Sequence, residues 1–212
     1  MFKKMIISMM IMSICLTGGL FFLLEHSEGV ISDLQNNKVN GDLVKSFENK
    51  DYFYHLSEEE INEAIDRGTN SLELIENYLL PSQSQENNAD VAFAYIETPY
   101  LTVMKESRAV FDHYGRKPVA EEMTERISDS YLPIHVRFSE NKGLEYHVSF
   151  LQKDEEIEPI TTEIQGSGMM ETIFIHTDDL DFASSATVRV EQEMNPGNEV
   201  EFEINFNNFI PK

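Results

Sequence analysis

Residues 132–150 read LPIHVRFSENKGLEYHVSF, and the period of this stretch decides the fold class. Ile134, Val136 and Phe138 alternate with His135, Arg137 and Ser139. Leu144, Tyr146, Val148 and Phe150 alternate in the same way. A period of two is the mark of strands with one buried face. Pairing the two apolar sets opposes Glu140 to Leu144 around Asn141-Lys142-Gly143, a three-residue loop whose last, left-handed position suits glycine. In that register His135 opposes Ser149 and Arg137 opposes His147. The two histidines then share an outward face, roughly 7–8 Å apart between backbones. Ile157–Ile164 and Glu171–His176 read as further strands. A second hairpin joins Thr187–Glu193 to Glu199–Phe206 through Asn195-Pro196-Gly197-Asn198. Short connections of this kind predict an antiparallel β-sandwich over 131–212, immunoglobulin-like in general architecture.

Upstream the period becomes helical. Ser57 and Glu60 form a capping box, with Leu56 and Ile61 at the spacing of a hydrophobic staple. Ile61, Ala64, Ile65, Leu72, Ile75, Tyr78 and Leu79 follow on one stripe up to Pro81, and Gly68 on that stripe makes this either one helix with a weak point or two short ones. After a loop over 82–90, Val91–Ile96 reads as a short buried strand. Thr98-Pro99 then opens a helix carrying Tyr100, Val103, Met104, Ser107, Phe111 and Tyr114 on one side, and Gly115 closes it. Pro118 starts another, with Val119, Met123 and Ile127 facing inward. Residues 57–130 are therefore expected to be mainly helical with one strand. The fold class is α+β.

The N-terminus places the chain. Lys3 and Lys4 precede an uncharged run from Met5 to Leu24. As a helix that run spans roughly 30 Å, the hydrocarbon thickness of a bilayer. Residues 1–24 read as a signal-anchor, with the Lys side cytoplasmic and the rest of the chain extracytoplasmic. Secretion after signal cleavage is the alternative, and lipidation at Cys15 is a further one that the bulky Ile14 before it opposes. Residues 25–56 read as a polar linker. The chain has 212 residues, 16 of them Lys or Arg and 38 Asp or Glu, a net charge of −22. Such acidity argues against nucleic acid as a partner. The single cysteine, Cys15, excludes a disulfide framework. Arg67-Gly68 at a helix end, the Thr98-Pro99-Tyr100 helix start and the C-terminal β module together resemble a group of exported proteins of Gram-positive bacilli. That resemblance brings no activity and no functional residue with it.

Several chemistries find no motif. There is no G-x-x-x-x-G-K-[ST], G-x-G-x-x-G or H-E-x-x-H, and Gly166-Ser167-Gly168 reads as a loop rather than a nucleophile elbow. His135, His147 and His176 form a candidate metal set, which Arg137 beside His147 opposes. Asp178, Asp179 and Asp181 are the calcium candidate, since clustered carboxylates offer hard oxygens; the same residues also favour turns. In the last hairpin the apolar pairing opposes Glu191 to Glu201, Glu193 to Glu199 and Arg189 to Glu203. Like charges directly opposite destabilise a sheet unless solvent, ions or a basic partner meet them. Glu191, Glu193, Glu199, Glu201 and Glu203 are thus the candidate binding face. The expected function is a non-enzymatic envelope-protein-binding domain without a cofactor. The alternatives are a small envelope hydrolase with a carboxylate or His/Asp site, and a secreted ligand-binding module.

Overall fold

Local signals set the helix ends. In the computed structural model, which describes residues 43, 46–83, 89–195 and 197–211, the Ser57 hydroxyl accepts from Glu60 N while the Glu60 carboxylate accepts from Ser57 N. The helix so capped, α1, runs over Glu58–Asn70. It stops well before Pro81, and Leu72 is 85% exposed. Gly68 is no weak point. A Cβ there would lie 2.3 Å from Met104 O, so the missing side chain lets α1 press against α2 (Pro99–Tyr114). Thr98 caps α2 and Gly115 ends it with φ 67, as its sequence requires. The third helix, α3, is only Ala120–Thr124; Val119 is its exposed N-cap, while Met123 and Ile127 are buried.

Among the described residues there are eight strands, β1 preceding α2 and the rest following α3: β1 (Val91–Ile96), β2 (Tyr131–Phe138), β3 (Tyr146–Gln152), β4 (Glu155–Ile157), β5 (Thr161–Gln165), β6 (Met170–His176), β7 (Ala186–Gln192) and β8 (Glu199–Ile204). They form two antiparallel sheets. Sheet A has the order β1-β2-β6-β5 and sheet B the order β4-β3-β7-β8. The protein is α+β, and Leu43–Lys212 form one compact unit.

The hairpin expected over 132–150 does not exist. β2 pairs with β1 and β6, whereas β3 pairs with β4 and β7 in the other sheet. Alternation fixes which face is buried but not which strand lies alongside. Two strands facing each other across the core satisfy it equally, and the Phe138 and Tyr146 rings meet there at 5.4 Å. Gly143 serves a close approach rather than a left-handed turn. Its N–H donates to Gly168 O at 2.7 Å, and a Cβ would sit 2.9 Å from the same oxygen. The strand expected over Ile157–Ile164 is likewise divided between β4 in sheet B and β5 in sheet A. Lys153 and Asp154, both at positive φ, make the two-residue turn between β3 and β4.

The β7–β8 hairpin forms with its register two residues away from that expected. Arg189 opposes Glu201, Glu191 opposes Glu199 and Thr187 opposes Glu203. An even shift leaves every side chain on its expected face. The turn decides it: Asn198 N donates to Asn195 O, its side-chain amide donates to Gln192 Oε1 at 2.9 Å, and Glu193 leaves the β7–β8 ladder to donate its N–H to Glu145 O.

Two further stretches complete the unit. Leu80 N donates to Ala94 O on β1, and then Gln83 N donates to Glu201 O on β8, so residues 79–83 cover one edge of each sheet. Residues 46–56, expected to belong to a linker, pack into the domain. Phe47, Tyr52, Tyr54 and Leu56 are buried, and the Asp129 carboxylate accepts from Glu48 N and Asn49 N at 2.7 Å each. The signal-anchor expected over 1–24 and the part of the expected linker up to residue 42 lie outside the described residues. Among the described residues no helix is long and apolar enough to cross a membrane.

Candidate functional site

Glu97 sits at the elbow between the end of β1 and Thr98, the cap of α2. Because α2 returns over sheet A, residues one and two turns into the helix come back to this carboxylate. The Thr102 hydroxyl donates to Glu97 Oε1 at 3.2 Å, and the Lys105 ammonium pairs with Oε2. From β2, His135 Nε2 lies 2.7 Å from the same Oε2. His135 Nδ1 is 2.8 Å from Thr172 Oγ1 on β6, its register partner. Tyr95 on β1 stacks on the imidazole at 4.4 Å, and Lys105 lies 5.6 Å from the Tyr95 ring centre.

Burial would raise the Glu97 carboxyl, but the His135 hydrogen bond and charge and the Lys105 ammonium outweigh it and hold it down to about 2. For Lys105 the loss of water would lower the pKa, and the Glu97 and Tyr95 partners raise it above its usual value. Thr172, His135 and Glu97 thus stand in the order nucleophile, base and orienting carboxylate. Thr172 is only 1% exposed, however, so a substrate has no approach to its hydroxyl. In this state the network ties β1, α2, β2 and β6 together.

A cleft of about 230 Å³ opens beside it, between α2, the segment after α3 and the outer face of sheet A. Ile127, Tyr131, Met170 and Phe174 supply apolar walls; Glu97, Lys105 and His135 line it as well. Arg126 reaches Glu106 Oε2 at 2.6 Å. Sequence reasoning found His135 and missed Glu97, Thr102, Lys105 and Thr172, which converge only once α2 lies on the sheet.

The three histidines are separated. His147 is on the outer face of sheet B, opposite Glu191 and 3.8 Å from Glu156, while His135 is buried in sheet A. His176 ends β6, where its Nδ1 accepts from Asp178 N. The calcium candidate is not assembled either. Asp181 pairs with Lys153 at 2.6 Å and accepts from Ala183 N and the Ser184 hydroxyl, while Asp178 and Asp179 lie in the short turn after β6. Among the described residues no group of three or more His, Cys, Asp and Glu side chains is disposed to hold a metal ion.

The acidic face is brought together in part. Glu191, Glu199, Glu201 and Glu203 line the outer face of sheet B, exposed or half-buried. Arg189 stands among them, 2.8 Å from Glu201 and 3.6 Å from Glu199. Gln83 donates to Glu203 at 3.1 Å. Glu193 belongs elsewhere, since it acts on Glu171. That residue is the register partner of Val136, 7% exposed, with Oε2 lacking any partner. Burial first, and the Glu193 charge second, push the Glu171 carboxyl up to about 7. No family model, curated protein or solved structure matches this chain.

Proposed function

We propose that the chain is a non-enzymatic extracytoplasmic binding domain, held at the membrane by residues 5–24, that docks a basic segment of an envelope protein on the outer face of sheet B. The observation that carries this reading is the set Glu191, Glu199, Glu201 and Glu203 around Arg189, on a face whose outward side chains solvent still reaches. Charge of one sign on an accessible face steers a partner of the opposite sign and fixes its register. The burial of Thr172 speaks against nucleophilic catalysis by its hydroxyl, since the approach to the Thr172–His135–Glu97 chain is closed at the nucleophile.

The test is crosslinking of the full-length chain in its own membrane, comparing wild type with the triple variant E191Q/E199Q/E201Q. A partner held by wild type, released near 1 M salt where the Debye length is about 3 Å, and lost from the triple variant is the expected result. A partner retained by the triple variant, or held unchanged in high salt, would remove sheet B as the docking face.

A further inference from the structure

We infer that the cavity at the C-terminal end of α1 binds a free α-amino acid with an apolar side chain. Separate stretches of chain build this cavity. Arg67 comes from the last turn of α1, Glu73 from the loop beyond it, Met104 from α2, and Phe209 from the short turn Phe206–Phe209 after β8. The Ser71 hydroxyl accepts from Glu73 N at 3.1 Å and donates to Glu73 O at 2.9 Å, which folds the loop back as α1 ends. Tyr78 and Phe209, both buried, stack at 6.4 Å and form an aromatic wall.

The charges select the ligand. Arg67 and Glu73 are the charged residues of the lining, and they are opposite in sign. Among the described residues neither makes an ion pair. Arg67 lies beside the Tyr100 hydroxyl, and Glu63 acts on it from one turn earlier without forming a pair. Other cations of the helical layer are matched: Arg108 by Asp112, Lys117 by Asp66 and Arg126 by Glu106. A free cation and a free anion on one cavity are both satisfied by a molecule that carries a carboxylate and an ammonium together. A peptide terminus carries only one of the two. The volume, about 370 Å³, lies near the lower end of the roughly 300–1,000 Å³ of small-molecule pockets, which suits a ligand of amino-acid size. Tyr78, Phe209 and Met104 receive its side chain. This inference is independent of the acidic-face reading, since none of the sheet B glutamates lines the cavity.

Titration calorimetry on the full-length chain with phenylalanine, phenylalaninamide and N-acetylphenylalanine tests it, at about pH 6, where free amino and carboxyl groups both carry their charges. Phenylalanine is expected to bind, and each singly charged compound at least about tenfold more weakly, because a hydrogen bond to a charged group outweighs one to a neutral group. Arg67 and Glu73 are exposed, so the fold tolerates their replacement. R67Q should weaken phenylalanine about tenfold and leave phenylalaninamide unchanged, while E73Q should weaken phenylalanine as much and leave N-acetylphenylalanine unchanged. The variant E191Q/E199Q/E201Q should bind phenylalanine as wild type does. No binding of phenylalanine, equal binding by either singly charged compound, or full phenylalanine affinity in R67Q or E73Q would each overturn the inference.

Discussion

The two outward faces of the paired sheets handle charge in opposite ways. On sheet A, Tyr95, His135 and Thr172 are buried, and Glu97 holds Lys105 and His135 with little water around it. On sheet B, Arg189, Glu199 and Glu201 form ion pairs that solvent still reaches. Glu97 and His135, at 11% and 9% side-chain exposure, are costly to disturb, while the ion pairs of sheet B are cheap to disturb and easy to reach. The largest expected effect follows directly. Glu97→Ala leaves Lys105 and His135 without their shared counter-charge, and removing one partner of a buried pair costs about 3–5 kcal/mol. Urea unfolding should show that loss, and a change below about 1 kcal/mol would mean that water already screens the Glu97 network.

The pH profile sharpens the same contrast inside the fold. Glu97 lies at about 2 against an ordinary value near 4.5, so its contribution is present above about 4.5 and fades as pH falls toward 2. Glu171 has the opposite sign. Its carboxyl lies near 7, so the folded state keeps a proton that the unfolded chain releases from about 4.5 upward. Stability is lost as pH rises from about 4.5 to 7 and stays lower beyond, by at most about 3 kcal/mol. Glu171→Gln should flatten that alkaline limb and stabilise the protein at pH 8, as read by thermal unfolding across pH. An unchanged limb would assign it to another group.

Next in size is the seam between α1 and α2. Gly68→Ala puts a methyl group 2.3 Å from Met104 O, a backbone atom that cannot swing aside. The helices must part, which for overpacking costs about 1–3 kcal/mol. Because α2 also carries Thr102 and Lys105, the variant should lower the melting temperature and loosen the Glu97 network together. Hydrogen exchange at α2 amides would register both, and exchange unchanged along α2 would show that α1 alone gives way.

These same residues show what a sequence can state about its own fold. The Ser57–Glu60 box, the Thr98-Pro99 start and the Gly115 stop were legible because each is completed within a few residues of chain. The buried faces of β2 and β3 were legible from alternation, but their partners were not. A strand's period says nothing about whether its neighbour lies beside it or across the core. The same limit hid the candidate site. Glu97 and His135 are 38 positions apart, and their meeting depends on α2 folding back over sheet A. Even the error in the last hairpin was of this kind: pattern fixed the faces, while Asn198 bonding to Gln192 fixed the register.

Sheet B supplies the smallest effects and the sharpest counterpart. Arg189 pairs with Glu201 and Glu199 at 37% side-chain exposure, and exposed pairs contribute about 0–1 kcal/mol. Arg189→Ala should therefore shift unfolding by no more than about 1 kcal/mol. It removes the cation that pairs with Glu201 and Glu199, leaving Glu191 directly opposite Glu199 without that counter-charge. Such cross-strand repulsion is screened by salt. The melting temperature of the variant should thus rise with ionic strength more steeply than that of wild type. The same change deepens the negative potential of the face, so association with a basic partner should become faster at low salt. A destabilisation of 3 kcal/mol or more would place Arg189 in the class of Glu97 and erase the distinction between the two faces. A small loss of stability joined to faster association is the combination that a solvated recognition surface requires and a buried lock would not produce.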